Sequence, residues 1–435
     1  MSRNAFRLTF LAVLVVGGVL GVLIPSVALA HAELIRVTPP TRQTLPQPPE
    51  QVALLFSEPL DPSFSSVQVQ DSTGTRVDQG DSQVDPNNDR LLTASLKPGL
   101  PNGIYVVVWR SLSAIDVHPD DGYYPLYVGV PVQTGATQAT GTAGNATTGT
   151  PETLLGRWWF YIAASLFGGV LVTWKLVISP LTPDDDVKKR VRRRAYRLML
   201  AGGVLLVVGT LFSALAQAAA AANVSLWDAF GKPVADLLLR GRFASIWWPR
   251  VGLEVASLLL VVIGGIDGLA SECALATLPA VLLTSALTSH GAALPAAAEG
   301  IGIDWLHILG ATAWVGGLTA LVAFVPVLRT SNDHTRVLAD LLGRFGRFAL
   351  IAAGLVLASG VLQGALEVGT WNALVATLYG QLLLVKVALL AAMLLLAAFN
   401  QLRGLGRGVP LEFALGVVVF GVAAMLSGTP PTPNS

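Results

Sequence analysis

The sequence is poor in the residues that build redox centres and zinc modules. Its 435 residues include one cysteine, Cys273, so no intrachain disulfide can form and zinc modules and paired-cysteine redox motifs are excluded. The four methionines are too scattered to line a path for a soft metal ion. Neither a GxxxxGK[ST] phosphate loop nor an Asp-Lys-Thr-Gly motif occurs, which excludes direct use of ATP.

Charged residues are also scarce, while apolar residues are in excess. Only 13% of the chain is charged, about half of what a soluble domain carries (roughly 25%), and 53% is hydrophobic. Such a surplus of apolar residues predicts a membrane protein whose principal partner is the lipid bilayer. The formal net charge of +1 argues against a nucleic-acid partner.

Residues 1–30 are typical of a secretory signal peptide. Two arginines, Arg3 and Arg7, precede an apolar run over residues 8–24, and Ala28-Leu29-Ala30 supplies the small residues that signal peptidase requires. Cleavage after Ala30 would make His31 the first residue of the mature chain. The alternative is an uncleaved anchor helix.

Residues 31–130 have an ordinary composition and read as an all-β domain. Short β-rich runs over 52–56, 66–70, 91–96, 104–112 and 123–130 alternate with turn residues rich in Asp, Asn, Gly and Pro. Short strands separated by turn residues in this way predict a β-sandwich of the immunoglobulin-like or cupredoxin-like kind. Residues 131–153, rich in Gly, Thr, Ala and Gln, are predicted to be a flexible linker.

Residues 154–428 read as an all-α polytopic membrane bundle. About eight apolar stretches are long enough to cross about 30 Å of hydrocarbon. They cover residues 154–178, 198–222, 245–266, 273–294, 303–328, 347–367, 382–402 and 411–428. The third is the least regular, because 224–243 mixes charges and proline and could lie along the interface. Residues 429–435 form an extracytoplasmic tail.

The distribution of basic residues predicts the orientation of the bundle. Loops 179–197, 329–347 and 403–407 hold thirteen Lys and Arg, against three in the loops on the other side. The positive-inside rule places the richer loops in the cytoplasm. The chain is therefore predicted to be a multi-pass protein of the cytoplasmic (inner) membrane, with both termini and the β domain outside.

Three residues of the β domain are candidate ligands of a metal ion. Asp116 and His118 are two apart in a stretch predicted to be extended, so their side chains leave the same face. The amine and ring of an amino-terminal His31 would bring the set to three nitrogens and one oxygen, which suits copper(II). On spacing alone, a solvated Asp-x-His turn is the competing interpretation.

A second cluster is predicted in the membrane, where polar residues are costly and face the bundle or a cavity. His290 is placed near the outer end of the fourth span and His307 near the outer start of the fifth, with Asp304 on the same helix face as His307. A His-His-Asp site at the outer mouth is one interpretation. Two interfacial histidines bonded to water and backbone are the other.

Four segments of the β domain resemble the copper-binding CopC family. They are HAEL at 31–34, LFSEP at 55–59, YVVVWR at 105–110 and SAIDVHP at 113–119. That family binds copper(II) through its amino-terminal His and the Asp and His of an Asp-Gly-His-Pro element, and His31, Asp116 and His118 match those positions. Val117 stands where the family usually has Gly. The Met-rich copper(I) site of some members has no counterpart here.

The remainder resembles the CopD copper-transport domain, and fusion of the two domains is a known arrangement. The matching segments are SHG at 289–291, DWLH at 304–307, WVGG at 314–317, RFGRF at 344–348 and YGQLLLVK at 379–386. Because Lys386 lies in one of these motifs, it is a secondary candidate site residue, although pairing with a buried carboxylate is the simpler role for it.

The resemblance implies a copper-binding transport protein and not an enzyme. A membrane potential that is negative inside favours cation entry by about 2.3 kcal/mol per charge per 100 mV, so uncoupled transport would import copper. The oxidation state of copper in the bundle is left open. The alternatives are a membrane-tethered chaperone or buffer that supplies extracytoplasmic copper enzymes, and an oxidative enzyme with a copper brace, which the third ligand Asp116 disfavours.

Overall fold

The computed structural model describes residues 32–132, 141–142, 149–294, 296–368, 371–403 and 408–429. The predicted signal peptide, His31, much of the linker, Arg407 and the last six residues lie outside this part of the chain. The described chain divides into two compact units. One contains the β domain together with Ala214–Ser245, which the sequence prediction had placed in the membrane domain. The other contains the remaining helical residues.

The β domain is a two-sheet sandwich, as predicted. Its strands are β1 (Leu34–Thr38), β2 (Thr44–Leu45), β3 (Gln51–Phe56), β4 (Ser66–Gln70), β5 (Gln83–Asp85), β6 (Asn88–Ser95), β7 (Gly103–Leu112), β8 (Pro119–Val128) and β9 (Gly141–Thr142). One sheet has the order β1-β3-β6-β5, and the other has the order β2-β8-β7-β4, with β9 paired to β8. The strands absent from the sequence prediction are short or lie at an edge, where pairing rather than local pattern determines the structure.

The core of the sandwich follows from the alternation of apolar residues. Every second residue of β3 and β4 is buried, which directs one face of each strand inward. Phe56 of β3 and Trp109 of β7 meet edge to face, with ring centroids 5.3 Å apart. Each such side chain stabilises the fold by about 1.5–3 kcal/mol when fully buried. This core supports the long strands β7 and β8, which flank the loop that contains Asp116 and His118.

The helical part contains eight helices that are long and apolar enough to cross a membrane, among the residues described. They are α1 (Pro151–Ile178), α2 (Asp185–Ala222), α4 (Gly241–Gly264), α5 (Leu269–Ala286), α6 (Ala297–Leu328), α7 (His334–Val368), α9 (Leu378–Arg403) and α10 (Gly408–Leu426). Two short helices, α3 (Lys232–Leu239) and α8 (Trp371–Ala376), lie between spans. The number of spans agrees with the sequence prediction, and the chain is a multi-pass membrane protein.

Two span boundaries differ from the prediction in ways that matter for the site. Helix α2 begins at Asp185, because its charged first turns are good helix formers that an apolar count overlooks. Helix α5 ends at Ala286, and His290 begins a separate 3₁₀ turn, His290–Ala293. The prediction that His290 lies within the fourth span is therefore wrong.

A close contact between helices fixes the position of α6, the helix that carries Asp304 and His307. A Cβ atom at Gly316 of α6 would overlap the backbone of Gly169 in α1, so the two helices approach within backbone contact. Small residues permit such an approach in membrane proteins, where dispersion forces hold helices together.

Candidate metal-binding sites

The loop between β7 and β8 is organised by Ser113. Its hydroxyl accepts hydrogen bonds from the backbone N–H groups of Ile115 (3.1 Å) and Asp116 (3.3 Å) and donates to the buried Glu58 carboxylate at 2.6 Å. The Ser113 N–H donates to the His118 carbonyl at 3.1 Å, which closes the loop. A short polar side chain that bonds to nearby backbone favours a turn over a continued strand.

Asp116 and His118 lie side by side in this loop. Both are buried, and Asp116 Oδ2 is 3.0 Å from His118 Nδ1. The other carboxylate oxygen of Asp116 accepts the His118 backbone N–H at 3.2 Å. The prediction of an extended stretch is wrong here, because Asp116 is in a turn. The two side chains nevertheless converge, which puts one oxygen and one imidazole nitrogen in position for a shared metal ion.

Val117, between the two, holds a backbone conformation that glycine favours. Its φ is +62°, in the left-handed region, where a side chain costs roughly 1–2 kcal/mol. The Val117 side chain is buried in a cluster with Ala218, Ala221 and Leu237. The loop thus has at Val117 a conformation that glycine adopts without steric cost, and the packing of Val117 offsets part of the strain.

Side chains of the segment Ala214–Ser245, in the same compact unit, donate hydrogen bonds to backbone carbonyls of the loop. The Gln217 side-chain amide donates to the Val117 carbonyl at 2.5 Å, and the Arg242 guanidinium donates to the Ile115 carbonyl at 2.7 Å. The Arg110 guanidinium donates to the Ala220 carbonyl at 2.7 Å. These bonds fix the two residues that flank Asp116, so Gln217 and Arg242 position the candidate ligands.

The strain at Val117 can be tested by comparing two small replacements. Both Val117→Ala and Val117→Gly lose apolar burial, but only glycine relieves the left-handed strain. At an ordinary position, glycine is less stable than alanine by about 0.5–1 kcal/mol. We expect the reverse here, with the glycine variant unfolding at the same or a higher temperature than the alanine variant. A glycine variant that unfolds clearly below the alanine variant would contradict the strain.

The start of the described chain is tied to the same region. Ala32 is buried in the sandwich core. Glu33 and Ser57 are joined by two backbone-directed hydrogen bonds, with the Glu33 N–H donating to Ser57 Oγ (2.8 Å) and the Ser57 N–H donating to the Glu33 carbonyl (2.9 Å). Ser57 precedes Glu58, the partner of Ser113. The predicted ligand His31 itself lies outside the described residues.

Carboxylates around the loop add negative charge. Burial raises the pKa of Asp120 to about 6, with further contributions from the neighbouring charges of Asp121 and Glu33. Burial also raises the pKa of Glu33. At pH 7, above the Asp120 value, that carboxyl is mostly ionised, and the surroundings of Asp116 and His118 therefore attract a cation.

In the membrane unit, Asp304 and His307 both face α7. The Asp304 carboxylate accepts a hydrogen bond from Gln363, and His307 Nδ1 is 3.1 Å from the Ser359 hydroxyl. Asp304 is buried and also interacts electrostatically with His290. The ligand atoms of His290, Asp304 and His307 do not all lie within 4.8 Å of one another in the described structure. The predicted three-residue cluster is therefore a looser arrangement.

The 3₁₀ turn that carries His290 packs closely on the beginning of α6. A Cβ atom at Gly300 would overlap the Gly291 carbonyl, so neither glycine could carry a side chain without a shift of the backbone. His290 is buried at this contact. The turn thus brings a buried imidazole to the amino-terminal end of the helix that carries Asp304.

Lys386 belongs to a buried polar network whose members Glu367 and Tyr379 the sequence analysis did not single out. It interacts electrostatically with Glu367 and Asp304. Glu367 is buried and accepts hydrogen bonds from the Tyr379 hydroxyl and from Gln363 (3.3 Å). The four-residue spacing of Gln363 and Glu367 on α7 was the available signal, since it places both on one face.

Glu254 is paired within its own helix. The neighbouring Arg250, four residues earlier on α4, interacts with it electrostatically, and Thr210 donates to its carboxylate at 2.8 Å. The Arg250 guanidinium lies 5.2 Å from the ring centre of Phe160. This arrangement compensates the buried Glu254 carboxylate within the helical unit.

A further buried carboxylate, Glu412, was missed by the sequence analysis. It accepts hydrogen bonds from Trp314 Nε1 (3.3 Å) and Asn400 Nδ2 (3.0 Å). Glu412 follows closely on the basic segment 403–407, so the sequence alone suggests an interfacial residue. Only the packing of α6, α9 and α10 shows that it is buried.

These features define a class: a multi-pass membrane protein with a β-sandwich domain whose loop presents an Asp–His pair and a helical bundle that contains buried carboxylates, imidazoles and a lysine. Family models match a CopC domain over residues 34–129 and the Copper resistance protein D family over residues 339–426. The chain belongs to the family in which a CopC domain is fused to a CopD domain.

The chain is also similar to known proteins in each part. It is 30% identical to the copper transport protein CutJ of Bacillus subtilis over 451 aligned positions, covering 100% of this chain and 79% of CutJ. It is 32% identical over 143 residues to the inner membrane protein YebZ of Escherichia coli, covering 29% of this chain and 47% of YebZ.

Two crystal structures resemble the β domain. CopC from Methylosinus trichosporium OB3b is 32% identical, with 24% of this chain and 98% of that chain covered and a TM-score of 0.20. PcoC, a methionine-rich copper resistance protein from Escherichia coli, is 30% identical, with 23% and 99% covered and a TM-score of 0.20.

Proposed function

We propose that this protein captures Cu(II) outside the cytoplasm on its β domain and passes copper to the membrane bundle for import. The observation that carries the proposal is the buried Asp116–His118 pair, 3.0 Å apart in a loop held from both sides. The family of the chain, and the copper transport protein to which it is similar over its whole length, support copper as the metal.

In this proposal, removal of the signal peptide supplies the remaining ligands. Cleavage after Ala30 gives His31 a free amine, and an α-amino group with a pKa of about 7.7–8.0 loses its proton at small cost near neutral pH. With the His31 ring, Asp116 and His118, this makes three nitrogens and one oxygen, a set that suits tetragonal Cu(II). The anchoring of Ala32 and Glu33 beside Ser57 and Glu58 supports a place for this terminus near the loop.

The membrane step uses His290, Asp304 and His307. Buried polar groups in a span are costly and mark cation pathways. The electrostatic interaction of His290 with Asp304, and the position of His307 one turn further along α6, support successive positions for a cation instead of one closed site. The membrane potential supplies the inward bias.

Uptake of radiocopper into proteoliposomes tests the proposal. The purified full chain is compared with the His290→Ala and His307→Ala variants under an inside-negative potential. His334→Ala serves as the matched control, because His334 is an exposed histidine at the start of α7. We expect uptake by the wild type and the control, and at least about a tenfold loss in each of the other two variants, equivalent to about 1.4 kcal/mol.

The same experiment distinguishes import from a tethered chaperone or buffer. A chaperone binds Cu(II) and shows no uptake above empty vesicles. Uptake that is unaffected by both histidine replacements would remove these residues from the pathway. The copper in the assay is supplied as Cu(II) and, with ascorbate, as Cu(I), which shows which form the protein takes up.

A further inference from the structure

Glu412 differs from the other buried acids of the membrane unit in its partners. It is 3% exposed and lies one turn after the start of α10. Its two carboxylate oxygens accept hydrogen bonds from neutral donors, the Trp314 indole and the Asn400 amide. Within the described ranges, which omit residues 404–407, no basic side chain pairs with it.

The charge of the other buried carboxylates is offset within the bundle. Glu254 has Arg250, and Glu367 and Asp304 share Lys386. An ionised carboxylate without a cation is expensive in a medium of low dielectric constant, so such a group either takes up a proton or holds a cation. Glu412 therefore has a reason to change its protonation state that its counterparts lack.

A cavity beside Glu412 is large enough to hold water that could exchange a proton with its carboxyl group. Its volume is about 50 Å³, several times what one water molecule needs, and Trp314, Asn400, Gln401 and Glu412 contribute its polar lining. The Asn400 side-chain oxygen is buried and has no hydrogen-bond partner among the described residues. A buried acceptor without a partner points to water or to a donor that is present only in another state.

The Asn400 amide suits both forms of the carboxyl group. In the charged form, its NH₂ group donates to the carboxylate at 3.0 Å, as the structure shows. A neutral carboxylic acid has an O–H that needs an acceptor, and the same amide offers its oxygen when it turns over. The Trp314 indole donates to the other carboxyl oxygen in either form.

We propose that Glu412 is a reversible proton-binding site of the membrane bundle, which exchanges its proton with water in the adjoining cavity. The O–H bond of the carboxylic acid breaks, water accepts the proton, and the two neutral donors stabilise the carboxylate left behind. The site lies on the inner side of the predicted topology. Trp314 is ten residues along α6 from Asp304, or about 15 Å of helix.

A link to copper movement extends the inference and rests on the proposed function. Copper that leaves the Asp304 region for the inner side approaches Glu412, where the cation favours the carboxylate form. Proton release from Glu412 would then accompany copper passage. The protonation itself does not depend on that link.

Infrared spectroscopy of the reconstituted full chain tests the protonation directly. The wild type should show a carboxylic C=O band that disappears as the pH is raised and that Glu412→Gln lacks. Glu299→Gln, a replacement of an exposed carboxylate on α6, should keep the band. Absence of a titrating band in the wild type, or its persistence in Glu412→Gln, overturns the proposal. A shift of the band's titration to clearly higher pH in Arg407→Gln would identify a counter-charge and overturn it as well.

Copper uptake with a pH-sensitive dye inside the vesicles tests the link to transport. We expect copper entry to acidify the lumen transiently in the wild type, by at most one proton per protein molecule, because Glu412 regains its proton from water once the cation has passed. Glu412→Gln should lose this acidification while Cu(II) binding to the β domain is unchanged. Uptake without acidification in the wild type contradicts the link. Absence of wild-type uptake contradicts the transport proposal, and the infrared band then decides the protonation of Glu412 on its own.

Discussion

Replacing His118 with alanine is expected to lower the affinity of the mature protein for Cu(II) by more than about 100-fold. Changes in residues that only support metal ligands cost about 10–100-fold, so the loss of a ligand costs more. The reason lies in the geometry, because His118 Nδ1 and Asp116 Oδ2 converge at 3.0 Å and neither has a substitute nearby on the loop. Asp116→Asn should have a smaller effect, since an amide oxygen still offers a lone pair.

The measurement is a competition titration with a Cu(II) chelator on the full chain, followed by electron paramagnetic resonance of the bound ion. Nitrogen hyperfine structure should be present in the wild type and in His334→Ala, and reduced in His118→Ala. Acetylation of the terminal amine of the mature chain tests the amine, since the His31 ring is then retained but the α-amino nitrogen can no longer bind the ion. Equal affinity and equal spectra across these variants would remove the proposed ligand set.

Most strands of the sandwich were predictable because each follows from the pattern of apolar residues within its own segment. Alternation over residues 52–56 and 66–70 places one face of each strand inward whatever its neighbours are, and the structure has strands there. The two-residue strand β2 and the edge strand β5 carry no such pattern. Their pairing with β8 and β6 determines them, and pairing across the chain is not visible in a single sequence.

The loop that contains Asp116 and His118 was only partly predictable from the local sequence. The residue types at 116 and 118, with their spacing, suggested candidate ligands, but not the turn that brings them together. The left-handed φ of Val117 and the hydrogen bond from Gln217 depend on contacts between residues 100 positions apart. A valine in the sequence gives no sign of a left-handed backbone, yet the structure has that conformation at Val117 and buries its side chain.

The membrane unit was predictable in its number of spans and less so in its polar contacts. Hydropathy counts apolar residues, so eight spans follow from length alone. A single acid in an apolar run does not disclose its partner, because any of several helices can face it. Glu412 and Glu367 were missed for this reason, while Asp304 was found through its fixed spacing to His307 on the same helix.

Replacing Lys386 with methionine is expected to destabilise the folded protein by about 1–3 kcal/mol, because charged carboxyl groups at Glu367 and Asp304 lose their only shared basic neighbour among the residues described. Methionine matches the length of the lysine stem, so packing changes little. The measurement is the apparent unfolding temperature of the purified protein in detergent. Lys175→Met is the matched control: Lys175 lies near the end of α1, and its partner Glu272 is exposed.

A second replacement separates charge compensation from a role in the pathway. In the double variant Lys386→Met with Glu367→Gln, one negative charge is removed together with the positive one, while the glutamine oxygen still accepts the Tyr379 hydroxyl. We expect the double variant to recover most of the lost stability and most of the copper uptake, since Lys386 acts by offsetting buried charge. Recovered stability without recovered uptake would instead place the ammonium group of Lys386 in the transport pathway.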